Sequence, residues 1–188
     1  MACPAALVAG LARLSNNPIL YSPAACYIEV FRGTSALVQL FWFYYVLPHF
    51  GWKLDALTVG ILVLGLNIGA YGAEVVRGAV QSVPKEQYEA ARALNFSKKQ
   101  TLRRIILPQA LVAIFPPAGN LLIELLKSTA LVSMITLTEL TFKGQILRAS
   151  TLKSTEIFGI ILILYFLLAS SMTYMVRKLE QRFSYIKD

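Results

Sequence analysis

Four stretches without a single charge run through this sequence: Gly33 to Trp52, Ala56 to Ala73, Ile105 to Ile123 and Ile157 to Val176, each 18 to 20 residues long. A bilayer core of ~30 Å needs about 20 helical residues, so each run predicts one complete membrane helix. Buried helices of a soluble protein can also be uncharged, but here the coat is missing. The 188 residues are 56% hydrophobic and 15% charged, whereas a soluble domain carries roughly 25% charged residues. Too little polar chain is left to cover four such helices. A soluble enzyme, a disordered segment and a disulfide scaffold are therefore excluded. Cys3 and Cys26, the two cysteines, lie in apolar surroundings at no metal or redox spacing and are expected to be packing residues.

Met1 to Ala12 is apolar but only 12 residues long, about 18 Å of helix and too short to span. A signal peptide would carry a basic region ahead of it, which this stretch lacks. The expectation is the tail end of a membrane helix whose first half is absent from this chain. A loop at Arg13, Asn16, Asn17 and Pro18 should follow, since Asn-Pro favours a turn. Basic residues set the orientation. If the segment between the second and third runs is cytoplasmic, its side collects twelve basic residues, Arg13, Arg77 and Lys187 among them. The other side has four, Lys53, Lys143, Arg148 and Lys153. This asymmetry places the C-terminus in the cytoplasm and makes the net charge of +8 a matter of topology, so no nucleic-acid partner is inferred. The C-terminal VRKLEQRF reads as a stop-transfer anchor on anionic membrane lipid.

The segment from Arg77 to Arg104 describes a defined object rather than a linker. Pro84 suits a helix start, Glu86 and Glu89 lie toward its positive end, and EQYEAARAL is rich in helix formers, which predicts a helix over about Pro84 to Leu94. Asn95 follows where that helix should stop, in a position suited to the left-handed conformation. Ser97 and Gln100 form a capping box that starts a second helix. Pro108 lies inside that second helix, lacks the amide that would bond to residue 104, and should kink it. On these local features the object is either an amphipathic loop resting on lipid headgroups or a docking element for a cytoplasmic partner.

The stretch EAARALNFSKKQTLRRIILP resembles the EAA motif of ABC importer permeases, E-A-A-x3-G-x9-I-x-L-P, with Glu89, Ala90, Ala91, Ile105, Leu107 and Pro108 in matching positions. Asn95 replaces the family's Gly, and Asn tolerates positive φ better than other side chains. Tyr27 to Pro48, Ala70 to Pro84 and Pro116 to Leu131 are similar to the subgroup that imports polar amino acids, the histidine and glutamine permeases, over about Leu7 to Phe183. The resemblance implies an all-α integral membrane protein, a type I importer transmembrane domain filling residues 1–188. Four complete helices and a truncated N-terminal one are expected, with a coupling loop at about 77–108. It further implies a second permease subunit, an external solute-binding protein and a separate cytoplasmic ATPase, in the bacterial inner membrane. The loop would dock in the ATPase with Glu89 as charged contact, Ala90 and Ala91 allowing close approach and Asn95 setting the angle between the helices. No cofactor would bind this chain, since ATP is used by the partner.

Ionisable and amide side chains near the uncharged runs are the candidates for a solute path, because unpaired charge in lipid is costly. Glu29 with Arg32, and Glu124 with Lys127, are spaced to pair on one helix face. Arg32, Glu124 and Lys127 facing a pore would hold the two charges of a zwitterion; the plainer reading is that they brace helices or reach the interface. Asn67 and Asn120 are candidates for interhelical hydrogen bonds. Lys127-Ser128-Thr129 and Lys153-Ser154-Thr155 lack the Gly-rich loop of a phosphate site, and no catalytic constellation accompanies His49, so no catalytic role is assigned. An ATP-independent channel or secondary carrier is the rival reading.

Overall fold

A computed structural model describes residues 2–15 and 17–184. Met1, Asn16 and Lys187, on which parts of the sequence reading fall, lie outside the described residues. Among these residues the elements are all helical: α1 (Ala2–Arg13), α2 (Pro18–Gly33), α3 (Ala36–Phe41), α4 (Ala56–Gln81), α5 (Lys85–Ala93), α6 (Lys98–Thr101), α7 (Leu107–Ser128), α8 (Leu140–Thr151) and α9 (Ser154–Ser184). Three continuous helical stretches are long and apolar enough to cross a membrane: Ala56–Gln81, Lys98–Ile135 and Ser154–Gln181.

The first uncharged run differs from its expectation of one spanning helix. Helix α2 ends at Gly33, Thr34 and Ser35 are extended, and a new helical stretch, Ala36–Phe50, begins after them. At ~1.5 Å per residue that stretch covers only about 22 Å. The run's lack of charge is real, but a backbone break at its second and third residues, which hydropathy does not register, shortens its helical part.

Helix α4 is the centre of the molecule, with α1, α2, α3 and α7 packed against it. Asp55 caps its N-terminus, accepting from the Thr58 amide and hydroxyl, and these bonds hold the Asp55 carboxyl below its usual pKa. The cap's contribution is thus complete above the ordinary carboxylate range and is lost as the pH falls through the lowered value. Small residues let α1 lie close on α4: a Cβ on Gly10 would meet the Ala73 carbonyl oxygen at 2.7 Å, and one on Gly72 would meet Ala6 at 2.8 Å. At one end of α4, Leu40, Val59, Val63, Leu64, Val132 and Ile135 form a core. At the other, Ala79, Val80, Val83, Ile106 and Ala110 form a second. Cys3 and Cys26 are exposed rather than packed, because both project from the outer faces of α1 and α2.

Two proline sites share one device. Trp42–Val46 and Leu102–Ile106 are π turns, each followed by Leu-Pro, with the Leu47 amide bonded to the Trp42 carbonyl and the Leu107 amide to the Leu102 carbonyl. A proline ring clashes with the carbonyl four residues back, and widening the turn by one residue relieves that clash. Where a kink is expected at Pro108, the structure has a π turn within a continuous helical stretch. Between Thr138 and Glu156, α8 forms with Glu139 as its cap, accepting from the amides of Thr141 and Phe142 at 2.8 Å each.

Candidate functional site

The loop between α4 and α7 is built as its local signals dictate. Asn95 has φ 57°, the Phe96 amide bonds to the Ala91 carbonyl at 3.0 Å, and the Asn95 amide bonds to the Arg92 carbonyl at 2.9 Å. This is the Schellman closure of α5, with Asn in the left-handed position. The capping box is complete: Gln100 N–H donates to Ser97 Oγ at 3.3 Å and Ser97 N–H to Gln100 Oε1 at 2.9 Å. The loop is tied to both neighbours. Tyr88 donates its hydroxyl to the Val80 carbonyl on α4 at 3.2 Å, and Gln109 on α7 donates to Gln87 at 3.3 Å. Burial pushes the Tyr88 phenol pKa up.

The matched residues divide by exposure. Glu89, Ala90 and Asn95 are exposed, with Glu89 in no described ion pair. Ala91 is fully buried, so it packs within this chain and offers no surface to a partner, unlike Ala90. Ile105 and Leu107 are half-buried and Pro108 exposed, while Ile106, between them, is fully buried in the second core.

A charged cluster that sequence reasoning only touched lies beside the loop. Glu74 accepts from Arg13 at 2.9 Å and from Arg77 at 2.7 and 3.0 Å, and Arg32 stands 3.9 Å away with its guanidinium 5.2 Å from the centre of the Tyr71 ring. Glu29 pairs with Arg13 at 3.3 Å. The expected Glu29–Arg32 pair within α2 is therefore replaced by two bridges to other helices, because α1 and α4 bring a closer cation and a less exposed carboxylate. The i,i+3 spacing of Glu74 and Arg77 was the available signal; Arg13, 61 residues away, gave none.

Asn67 and Asn120 separate. Asn67 is buried and donates to the Phe31 carbonyl at 3.0 Å and to Gln39 Oε1 at 3.1 Å. Asn120, Glu124 and Lys127 are exposed along one stripe of α7, at helical spacings of four and three, and no described ion pair joins Glu124 to Lys127. Arg32 is drawn to Glu74, and no described bond links it to Glu124 or Lys127.

A family model described as "binding-protein-dependent transport system inner membrane component" matches residues 2–185. A probable amino-acid ABC transporter permease of Sinorhizobium fredii is 47% identical over 177 residues, covering 91% of this chain and 74% of that protein. The glutamine transport system permease GlnP of Escherichia coli is 37% identical over 178 residues, covering 94% and 81%. A crystal structure of an amino acid ABC transporter with histidines superposes with a TM-score of 0.91 at 35% identity, covering 96% of this chain and 85% of that one. An inward-facing MetNI methionine transporter, at 19% identity and a TM-score of 0.78, shares the fold. With its capped loop and its three long apolar helices, the chain belongs to the family of inner membrane components of binding-protein-dependent transport systems.

Proposed function

We propose that this chain is the permease subunit of an ABC importer and forms, with a second permease, the pore for polar amino acids or similar small zwitterions. The loop at 77–108 faces the cytoplasm, as does the C-terminus, and docks on a separate ATPase that supplies ATP hydrolysis; an external binding protein delivers the solute. One observation carries the reading: α5 and α6 are joined by a closed turn at Asn95 and tied by Tyr88 and Gln109 to the helices on either side. A stiff knob of this kind passes a push from a partner into α4 and α7 instead of absorbing it. The exposed Asn120, Glu124 and Lys127 stripe on α7 is the part of the pore lining we assign to this subunit, and the amino-acid specificity rests on the names of the relatives.

Two variants test the loop. Glu89→Lys reverses an exposed charge without touching the cores, so membrane insertion is expected to be normal while co-purification with the ATPase and uptake of labelled amino acid are lost. Asn95→Val places a β-branched residue at positive φ, a strain of about 1–2 kcal/mol, and should reduce ATPase co-purification severalfold. Normal transport in Asn95→Val would remove the turn from the coupling route. Uptake that persists in cells lacking the ATPase would replace the importer with a channel or carrier.

A further inference from the structure

Helix α8 runs antiparallel to the first half of α9, and its start is anchored deep. Tyr165 donates its hydroxyl to Glu139 at 3.1 Å and stands 3.3 Å from the Thr141 hydroxyl. Tyr165 lies near the middle of the uncharged run Ile157 to Val176. From there α8 climbs along α9. A Cβ built on Gly144 would collide with Ile161 and meet Ile157 Cγ2 at 3.6 Å, and at the top Arg148 Nε donates to Ser154 Oγ at 3.0 Å. The hairpin closes at Leu152, which has φ 58°. The turn before α8 packs on the start of α4, where a Cβ on Gly60 would meet Val132 at 3.3 Å, so the hairpin lies at the membrane face away from the loop. Helix α8 is thus sunk into the apolar layer rather than laid on it.

Between α8 and α9 runs an apolar groove of about 200 Å³, walled by Leu140, Leu147, Ile160 and Leu164. Leu147, Ile160 and Leu164 are exposed along it. An apolar cavity of about 150 Å³ holds one benzene, so this groove takes a short run of a hydrocarbon chain. Lys143 is the one charged residue that lines it, and its exposed side chain makes no described hydrogen bond or ion pair. The next residue, Gly144, packs on Ile157 and Ile161, within about 6 Å of the outer end of the uncharged run. An ammonium at that depth is costly in hydrocarbon, and a lysine limits the cost by laying its stem on apolar surface and reaching the headgroups. Acids at this face do not serve it. Asp55 and Glu139 are engaged as helix caps, and Glu156 forms no described ion pair.

We propose that this groove is a lipid site, seating part of an acyl chain of an anionic phospholipid whose phosphate is held by Lys143. An anionic headgroup is favoured over a zwitterionic one because it has no ammonium of its own to compete for the phosphate. Arg148, exposed above Lys143 on the same helix, adds a second positive charge at the rim. A second copy of the chain seated in the groove would instead bury the Lys143 ammonium among apolar side chains.

Photolabelling tests this in the intact chain. The purified permease is placed in phosphatidylcholine vesicles with a minor fraction of either phosphatidylglycerol or phosphatidylcholine carrying a diazirine in its acyl chain, and labelled peptides are mapped after irradiation. Residues 140–147 and 157–164 are expected to be labelled at least threefold more by the phosphatidylglycerol probe. Lys143→Gln should bring the two probes level, and Lys143→Arg should keep the difference. Lys98→Gln, at the opposite membrane face, should leave it unchanged. Equal labelling of the wild-type groove by both probes would overturn the proposal, as would a Lys98→Gln effect as large as that of Lys143→Gln, which would make the preference one of net charge. No groove labelling by either probe, with copies cross-linking through Leu147→Cys in a chain carrying Cys3→Ser and Cys26→Ser, would give the groove to a second copy. Both probes enter both leaflets and no ATPase is present, so the result stands or falls independently of the importer reading.

Discussion

Glu74→Ala is expected to lower the melting temperature of the purified permease by about 5 °C, from a loss on the order of 2 kcal/mol. One carboxylate faces Arg13, Arg32 and Arg77, so its removal leaves three cations on three helices with Glu29 as the remaining acid nearby. Breaking a buried ion pair costs about 3–5 kcal/mol. The lower figure is used because the arginine side chains keep 18%, 40% and 33% of their surface in solvent, where screening weakens the bridges. Glu74→Gln keeps hydrogen-bonding capacity without the charge and should lose less. Unfolding followed by tryptophan fluorescence in detergent measures both. A Glu74→Ala protein that melts with the wild type would show that lipid or water, not this carboxylate, holds the arginines.

Gly10→Leu should be the more damaging change. The new Cβ would sit 2.7 Å from the Ala73 carbonyl oxygen and 2.9 Å from Val76 Cβ, and a backbone oxygen within a helix cannot swing aside as a side chain does. Helix α1 must move off α4. Overpacking of this kind costs about 1–3 kcal/mol, and the upper end applies because the contact is with backbone. Moving α1 also withdraws Arg13 from Glu74, so combining Gly10→Leu with Glu74→Ala should cost less than the sum of the two. Strict additivity, measured by the same thermal assay, would show that α1 stays in place and that the two sites are independent.

How far the sequence foretold this structure depended on how far apart the interacting residues lie. The loop was legible almost residue by residue: a helix that starts after Pro84, the left-handed Asn95 and the Ser97–Gln100 box are all decided within a few positions of themselves. The break after Gly33 was not, because hydropathy counts apolar side chains and is blind to two extended residues among them. The Glu74 cluster was half visible, through Arg77 on the same helix and not through Arg13 on another. Ala91 shows the limit of a motif: its identity is matched, yet its side chain is buried in the chain's own packing rather than presented outward.

The π turn at Leu102–Ile106 sets the phase of everything beyond it. At the foot of this helix the buried positions are Thr101, Ile106 and Ala110, a step of five followed by a step of four, whereas an uninterrupted α-helix would have turned Ile105 fully inward. One inserted residue is worth about 100° of rotation. The compass bearing of Asn120, Glu124 and Lys127, relative to the loop at the foot of the same helix, is therefore fixed by a single residue of slack. Taking that residue out would swing the polar stripe through roughly a quarter turn and leave every side chain of the sequence above it unchanged.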